Sequence, residues 1–449
     1  MVNGGARAVA RCDELGVAPY SDAPDMLFRA FLTPAHAASL ERIAQWMGEA
    51  GMHVELDGAA NLIGRYEGLE ADARALLIGS HIDSVRDAGR YDGPLGITLG
   101  IECVASLHAA GRRLPFAIEV IAFGDEEGSR FPASMFCSRA IAGTLDAGAL
   151  DVADRDGILL DEARATFAPS PPLGGEGRGE GAVLETSTRS ISGGFPLSQP
   201  SPPKGGEGFL AAAKRAGSAI AFLEAHIEQG PLLEAEGLAL GLVTGIAAQL
   251  RFQVMIEGRA GHAGTNAMHL RRDALAGAAE AVLAVERIAR EGGGDLVATV
   301  GRMAVGPGAV NVVPGRVDFS IDVRSGDEAA RNEAAEKILD EIADLSDRRG
   351  LDFNIERVQD LPASPCDPKL MDLLGEAIAE TGHPVRRLVS GAGHDAMVMS
   401  ALCPTAMLFI RCKDGISHNP AESVTGEDAD AALKAMRSFI DKLGESYGD

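Results

Sequence analysis

Short apolar runs alternate with amphipathic stretches along most of the chain. Three runs have the length of strands that are buried on both faces: 75–79 (ALLIG), 116–123 (FAIEVIAF) and 405–410 (TAMLFI). Residues 95–110 and 369–380 have the length and periodicity of helices. Because strands alternate with helices, the pattern predicts an α/β fold with a mainly parallel sheet and helices on both faces.

Helical patterns also occur near the two ends of the chain. Apolar residues recur at helical spacing over residues 24–50, which predicts a helix there. Within this stretch, Thr33 and Pro34 are typical of an N-cap that is followed by proline at the first helical position. A last helix is predicted over residues 427–443.

A second α/β pattern occupies residues 245–357. It contains two alternating strand patterns and two alanine-rich helical patterns, at 251–256, 317–323, 272–290 and 327–346. We therefore expect a larger domain made of residues 1–244 and 358–449, with the smaller α/β domain inserted between its two segments.

Residues 169–208 differ in composition from the rest of the chain. They are dense in Pro, Gly and Ser, and the sequence PSPPLGGEG returns as PSPPKGGEG. So little apolar surface cannot offset the entropy lost on ordering the segment. We expect a disordered insertion between two structured elements.

The charge balance excludes some classes of partner. The 449 residues include 41 Lys and Arg and 65 Asp and Glu, so the formal net charge is −24. Such a chain repels phosphate backbones and anionic lipid surfaces, and no apolar run reaches the ~18 residues of a membrane span. We expect a small-molecule partner, and neither a nucleic acid nor a membrane.

The cysteines indicate the compartment. Six are scattered along the chain without a C-x-x-C pair, and the N-terminus lacks the apolar stretch of a secretory signal. This pattern favours buried thiols in the reducing cytoplasm over a disulfide framework or a cysteine-rich zinc site.

Residues that could ligate a metal or transfer a proton follow four apolar runs, in the segments after the predicted strands. His81 comes after ALLIG, the pair Glu126 and Glu127 after FAIEVIAF, His226 after residues 220–223, and His418 after TAMLFI. Ligands bind outside the carboxyl ends of the strands in open α/β sheets. Each histidine alone is compatible with a structural role, but together they predict one polar cluster at one edge of the sheet.

The ligand types in this cluster predict a metal centre. Imidazole and carboxylate without thiolate suit Zn²⁺, Mn²⁺ or Co²⁺ at an open hydrolytic site. Asp83 is placed to accept the second ring N–H of His81, and Asp92 could either cap a helix or bridge two cations. In the pair Glu126 and Glu127, one carboxylate could ligate metal while the other takes a proton from water, although a solvated acidic turn is the alternative.

Six motifs resemble the M20 metallohydrolases: GSHIDSVRDAGRYDGPLG, DEEGSRF, AHIEQGP, GHAGTNAM, SGAGHDA and GISHNPAE. Within that family they are most similar to the branch of allantoate amidohydrolases, N-carbamoyl-L-amino-acid hydrolases and β-ureidopropionases. The resemblance covers nearly the whole chain apart from residues 169–208 and the extreme N-terminus. It implies a catalytic larger domain with two divalent ions, Zn²⁺ or Mn²⁺, and a smaller lid or dimerisation domain.

The resemblance also implies roles for the matching residues. His81 and His226 would ligate the first metal, Glu127 and His418 the second, and Asp92 would bridge them.

The remaining matching residues would serve catalysis or substrate binding. Glu126 would be the general base, Asp83 the partner of His81, and His262 a stabiliser of the oxyanion that reaches the site from the other subunit of a homodimer. Substrate contacts would come from Gln229, Asn311, Arg324 and His394.

The resemblance favours allantoate as the substrate, with an N-carbamoyl-L-amino acid or β-ureidopropionate as the alternative. A dipeptidase or aminoacylase of the wider family and an inactive scaffold are more distant alternatives. Two features depart from the family pattern: GTNAM stands where GTTPM is common, and the 169–208 insertion falls between Glu127 and His226.

Overall fold

The computed structural model describes residues 4–145, 148–167 and 217–447. The expected insertion at 169–208 lies outside the described residues. The helices are α1 (Gly4–Leu15), α2 (Pro34–Glu49), α3 (Pro94–Ala109), α4 (Phe136–Ala142), α5 (Leu160–Thr166), α6 (Leu232–Ala235), α7 (Ala274–Gly292), α8 (Glu328–Arg349), α9 (Pro368–Glu380), α10 (Asp395–Met399) and α11 (Gly426–Ser446). The strands are β1 (His53–Leu56), β2 (Leu62–Tyr66), β3 (Ala75–His81), β4 (Ala117–Phe123), β5 (Ala219–Ile227), β6 (Leu240–Ile246), β7 (Ala248–Glu257), β8 (Gly261–His262), β9 (Val297–Thr299), β10 (Met303–Gly306), β11 (Val312–Val313), β12 (Arg316–Ser325), β13 (Asp352–Leu361), β14 (Ser364–Pro365), β15 (Arg387–Ser390) and β16 (Thr405–Ile410).

The chain divides into two compact units. The smaller unit comprises Thr244–Pro365 together with Val389–Gly393, and the other described residues form the larger unit. The sequence pattern put the return to the larger domain at residue 358, within β13. That strand pairs with β7 at one edge of the described sheet and is mostly exposed, so it lacks the apolar alternation that would have marked its full length.

The larger unit is built on a sheet whose centre is parallel. Strands β4, β3, β5 and β16 lie side by side and run parallel. Beyond β4, the strands β2 and β1 pair antiparallel, and β6 pairs antiparallel with β16. The mainly parallel sheet predicted from the sequence is therefore confirmed, with antiparallel strands at its margins.

Helices cover both faces of this sheet. On one face Leu76 and Ile78 of β3 join a core cluster with residues of α3, and α3 also contacts β4 and β5. On the other face the rings of Phe123 and Phe222 meet, and the short helix α10 contacts β3, β5 and β16. Every residue of β3 and β4 is buried, as the continuous apolar runs predicted.

The smaller unit is an antiparallel sheet with two helices. Its strands lie in the order β10, β12, β7 and β13, and β9 also pairs with β12. Apolar residues of α7 and α8 form one core with alternate residues of β7 and β12. The expectation of a separate, smaller α/β domain is confirmed.

The helix predicted over residues 24–50 begins only at Pro34. Thr33 is its N-cap and accepts the backbone N–H of His36 at 3.3 Å. The preceding residues are held in an irregular loop because side chains compete for their backbone groups. Ser21 Oγ accepts the N–H of Phe28 at 3.0 Å, and the Asp22 carboxylate accepts that of Ala30 at 3.0 Å.

The cysteines and the helices bear on two expectations from the composition. All six cysteines are buried and unpaired, as expected of thiols in a reducing compartment. Among the described helices, none combines the length and the apolar character that crossing a membrane requires.

Candidate active site

The carboxyl ends of the central strands bring the predicted polar residues together. His81 is the last residue of β3, and His226 lies near the end of β5, the neighbouring strand. Glu126 and Glu127 come after β4, on the other side of β3, and His418 lies in the loop after β16. Parallel neighbours end at the same edge of a sheet, so four distant segments of the chain meet there.

His81, Asp92 and His226 form a buried triad. Asp92 Oδ1 lies 3.3 Å from His81 Nε2 and 3.1 Å from His226 Nε2, and the two Nε2 atoms are 3.3 Å apart. The exposed fraction of each residue is at most 6%. Each residue offers one atom, and all three atoms lie close enough together to hold a single ion.

This triad fits a divalent cation. His226 Nδ1 lies 2.9 Å from the Ile227 carbonyl oxygen and His81 Nδ1 3.1 Å from that of Asp83, so the ring hydrogen of each belongs on Nδ1. The two Nε2 lone pairs then face each other and a carboxylate, which requires a positive charge at this point. Burial alone lowers the pKa of both histidines, yet their acidic neighbours raise it: Asp83 and then Asp92 for His81, and Asp92 for His226.

Asp92, Glu127 and His418 form a second triad that shares Asp92 with the first. His418 Nε2 lies 3.4 Å from Asp92 Oδ2 and 3.4 Å from Glu127 Oε1. The two carboxylate oxygens of Asp92 therefore face different triads, which is the arrangement of a bridging ligand. This second triad is the more open one, since the His418 side chain is 47% exposed.

Asp83 links the first triad to the loop that carries Glu126 and Glu127. Its carboxylate accepts the backbone N–H of Glu126 at 3.0 Å and of Glu127 at 3.2 Å, and one oxygen lies 3.5 Å from His81 Nδ1. The sequence predicted that the Asp83 side chain accepts the second ring N–H of His81, but the nearer acceptor to His81 Nδ1 is the Asp83 backbone carbonyl oxygen, at 3.1 Å. The Asp83 carboxylate fixes the backbone on which the two glutamates stand.

The two glutamates occupy a site that disfavours their charge. His81, Glu126 and Glu127 offer three atoms that lie within 4.8 Å of one another. Burial raises the pKa of Glu127 to about 8. Burial and the nearby carboxylate of Glu127 hold the pKa of Glu126 well above its ordinary value, although His81 opposes this.

The metal-free protein is expected to lose thermal stability as the pH rises from about 5 to 8. Burial raises the pKa of Glu127 to about 8 and that of Glu422 to about 7, whereas glutamates in an unfolded chain titrate near about 4.3. The folded state then binds more protons than the unfolded state between these values, so the free energy of unfolding falls as the pH rises. The raised pKa values of His81 and His226 act in the same direction.

Melting temperatures measured across this pH range in a chelator check the prediction. Added Mn²⁺ should raise the melting temperature more at about pH 8 than at about pH 6, because cations bind deprotonated ligands. A melting temperature that stays level or rises with pH in the chelator contradicts the prediction.

Gln229 lies against the metal ligands in this structure, although the family resemblance gave it a substrate contact. Its Nε2 donates to Asp92 Oδ2 at 2.8 Å and to Ser417 Oγ at 2.9 Å, and Ser417 Oγ itself donates to Asp92 Oδ2 at 2.6 Å. Gln229 and His418 both have positive φ angles, of 56° and 54°. Left-handed backbone is unusual for these residue types and concentrates at functional sites.

His394 lies beside the first triad. Its ring packs edge-on against that of His226, with 4.5 Å between the centroids, and only 1% of the residue is exposed. Burial holds its pKa well below the ordinary value, so this imidazole is neutral. The neighbouring Asp395 is also buried, and burial raises its pKa to about 8.

In the smaller unit, a two-stranded ribbon brings His262 and Asn311 together. His262 in β8 pairs with Val312 in β11, and the N–H of Ala263 donates to the Asn311 carbonyl oxygen at 2.9 Å. The backbone N–H of Gly264 donates to His262 Nδ1 at 3.1 Å. The hydrogen of this exposed imidazole therefore belongs on Nε2, which is left as a donor.

Arg324 in the smaller unit is held by Asp322. Its Nε and Nη2 donate to the two carboxylate oxygens at 2.7 and 3.0 Å, and its Nη1 donates to the Gly391 carbonyl oxygen at 2.5 Å. This pairing uses the side fork of the guanidinium and leaves hydrogens on Nη1 and Nη2 at its end. The end of the guanidinium therefore keeps hydrogens for a further acceptor, in a plane that Asp322 fixes.

Three polar residues of this site were missed from the sequence. Ser417 and Glu422 stand in GISHNPAE but were not singled out, because neither their type nor their spacing identifies a metal ligand. Arg29 is 1% exposed, and no other Arg or Lys side chain among the described residues of the larger unit is buried. Its Nε donates to the carbonyl oxygen of Ile82, next to Asp83, at 2.5 Å.

Comparison with known proteins agrees with this geometry. The profile of peptidase family M20/M25/M40 matches residues 77–442, which is most of the 449-residue chain. The chain belongs to this family and is a hydrolase.

Individual relatives of the chain have names that state a narrower activity than the family name does. Allantoate deiminase 1 of Glycine max is 36% identical over 97% of this chain and 89% of its own length. An N-carbamoyl-L-amino acid amidohydrolase of Geobacillus stearothermophilus is 36% identical over 93% of each chain. Among solved structures, an amidase of the hydantoinase/carbamoylase family from Burkholderia multivorans has a TM-score of 0.83 and 32% identity, covering 98% of this chain and 97% of that one.

Proposed function

We propose that this enzyme hydrolyses a ureido (carbamoyl) C–N bond in a small substrate that carries a carboxylate. Allantoate is the favoured substrate, and an N-carbamoyl-L-amino acid or β-ureidopropionate is the alternative. The observation that carries the proposal is the pair of triads that share Asp92, with Glu126 beside them. The names of the Glycine max and Geobacillus stearothermophilus relatives support ureido chemistry over peptide cleavage.

The two triads fit a pair of divalent cations, Zn²⁺ or Mn²⁺. His81 and His226 would hold one ion, Glu127 and His418 the other, and Asp92 both. When bound, such ions lower the pKa of a water molecule and polarise the carbonyl oxygen of the substrate.

Glu126 would move the proton. Its carboxylate lies within 4.8 Å of ligand atoms of both His81 and Glu127, so it borders the place where the cations would stand. We assign it the role of base towards the attacking water, and then of acid towards the leaving nitrogen. The pKa of Glu126 is raised by burial, which brings this carboxyl closer to the operating pH.

The expected products are set by the bonds involved. A C–O bond forms at the carbamoyl carbon and its C–N bond breaks. The nitrogen of the broken bond takes up the proton and stays on the remaining compound, which is an amino acid from an N-carbamoyl amino acid and ureidoglycine from allantoate. The released carbamic acid decomposes to ammonia and CO₂. His262 Nε2 would donate to the developing oxyanion, and in our proposal it would do so from the second subunit of a homodimer.

A substrate panel tests the proposal. The protein is reconstituted with Mn²⁺ or Zn²⁺ and incubated with allantoate, N-carbamoyl-L-amino acids, β-ureidopropionate, N-acetyl amino acids and dipeptides. We expect ammonia from one of the ureido compounds, with allantoate as the best substrate. Amino-acid release from dipeptides or N-acetyl amino acids without ammonia release from any ureido compound would show a peptidase or aminoacylase instead. If no compound is turned over and the protein binds fewer than one ion per chain, the result would favour an inactive scaffold protein instead of an enzyme.

Replacing Arg324 by alanine is expected to raise KM for carboxylated substrates, with a smaller change in kcat. The guanidinium end fork would bind the substrate carboxylate in both the ground state and the transition state, so its loss weakens binding uniformly. Hydrogen bonds to charged groups contribute about 1.5–3 kcal/mol, which corresponds to a rise in KM of roughly 10- to 100-fold. Steady-state kinetics check this prediction. Arg316→Ala, at an exposed position of the same strand, is the control, and an unchanged KM in Arg324→Ala would remove the assignment.

A further inference from the structure

Glu422 lies in the loop after β16, four residues beyond His418, and its side chain reaches a different loop. Its Oε1 accepts the backbone N–H of Tyr91 at 2.7 Å and of Asp92 at 3.1 Å. Glu422 is 5% exposed. One buried carboxylate oxygen therefore joins the loop of His418 to the backbone of Asp92, the residue common to both triads.

The loop before Tyr91 packs closely against the carboxylate of Glu422. A Cβ atom added at Gly89 would lie 2.1–2.4 Å from the carboxylate atoms of Glu422, so only glycine allows this approach. On its own side, the N–H of Glu422 donates to the Asn419 carbonyl oxygen at 3.0 Å, and Asn419 Oδ1 accepts the N–H of Ala421 at 2.9 Å. This turn fixes Glu422 relative to His418.

We infer that Glu422 is a positioning residue that sets the distance between Asp92 and His418, and thereby the affinity of the site for divalent cations. The inference rests on the proposed function, because it assumes that the triads hold ions. Glu422 belongs to neither triad. It acts through the backbone of Asp92, in the way that outer partners of metal ligands do.

The energetic reason is the burial of two amides. The N–H groups of Tyr91 and Asp92 both donate to this one oxygen, and buried backbone donors that lack an acceptor are costly. If the oxygen is withdrawn, the loop must move to find another acceptor. Asp92 would then leave the geometry in which its two oxygens face two triads.

Two conservative variants distinguish the effect of the length of the Glu422 side chain from the effect of its charge. Glu422→Gln keeps an oxygen at the position of Oε1, whereas Glu422→Asp keeps the charge but withdraws the carboxylate by one methylene. We expect Glu422→Gln to bind Mn²⁺ like the wild type and Glu422→Asp to bind it about 10- to 100-fold more weakly. Binding is measured by titrating the metal-free protein with Mn²⁺ and monitoring the electron paramagnetic resonance signal of the unbound ion.

Asp57 provides a matched control. Its Oδ1 also accepts two backbone N–H groups, from Ala59 at 2.8 Å and Asn61 at 2.9 Å, and none of these three residues belongs to a triad. Asp57→Ala is expected to lower the melting temperature of the metal-free protein and to leave Mn²⁺ affinity unchanged. A purely structural Glu422 would behave in the same way.

The outcomes separate this inference from the proposed function. Weak Mn²⁺ binding in Glu422→Asp, with affinity retained in Glu422→Gln and Asp57→Ala, supports the inference. Equal affinity in Glu422→Asp and the wild type, both with two ions per chain, overturns it and leaves the proposed function intact. A wild type that binds fewer than two Mn²⁺ ions overturns the two-cation centre on which the proposed function rests, and the inference with it.

Discussion

A Glu126→Gln variant is expected to bind two divalent cations per chain and to lose turnover by about 10²- to 10⁴-fold, the usual contribution of general acid–base catalysis. Glutamine is nearly isosteric with glutamate, but its amide cannot take a proton from water at the operating pH. Glu126 belongs to neither of the triads that share Asp92, so their ligand atoms remain. Metal analysis and steady-state kinetics on the same preparation check both halves of the prediction.

The adjacent Glu127 provides the comparison. Glu127→Gln weakens a ligand of the second triad, so it should lower Mn²⁺ stoichiometry or affinity together with turnover. If Glu126→Gln retained turnover, Glu126 would not be the base. If it lost bound metal instead, Glu126 would be a ligand and another group would have to move the proton.

Replacing Asp92 by alanine is expected to weaken the binding of both cations. Its two carboxylate oxygens face different triads and lie 3.1 to 3.4 Å from histidine nitrogens. Removing a ligand should cost more than the roughly 10- to 100-fold in affinity that loss of an outer partner costs. We therefore expect turnover to fall below detection at micromolar metal. Metal content after dialysis and turnover over a range of Mn²⁺ concentrations measure the effect.

Single-histidine variants test the sharing of Asp92 directly. His418→Ala should keep one ion in the buried first triad, and His226→Ala should lose that ion. Asp92→Ala with an unchanged metal content would contradict the bridging role, as would His226→Ala and His418→Ala variants that lost the same ion.

The sequence was sufficient to predict which residues meet. His81, His226 and His418 come after apolar runs with the length of buried strands, and the residues at the carboxyl ends of parallel strands meet at one edge of the sheet. The inference required only the order of strands and helices, which hydrophobic periodicity encodes well. For this reason the meeting of these side chains could be predicted without any distances, whereas their individual ligand roles came from the resemblance to the M20 metallohydrolases.

The contacts around the ligands could not be predicted in the same way. Gln229 and Ser417 are far apart in the chain, yet both donate to Asp92 because two loops with unusual backbone geometry approach it. The contact of Glu422 with the Asp92 backbone depends on the absence of a side chain at Gly89. Such close approaches depend on loop conformation, which hydrophobic periodicity does not encode.

The predicted boundaries of elements were wrong where local hydrogen bonds or solvent exposure outweighed the hydrophobic pattern. The helix predicted from residue 24 starts at Pro34, since Ser21 and Asp22 hold the preceding backbone. The end of the smaller unit was placed inside β13, since an edge strand with few buried residues carries little periodic signal. Neither difference affects the residues of the site.

Anomalous diffraction from a crystal grown with Mn²⁺ would locate the cations themselves. We expect two peaks about 3.5–4 Å apart. One peak should lie within bonding distance of His81, Asp92 and His226, and the other within bonding distance of Asp92, Glu127 and His418. A map with no peak beside Asp92, in crystals whose protein binds Mn²⁺ in solution, would show that the cations bind elsewhere and that the proposed centre is wrong.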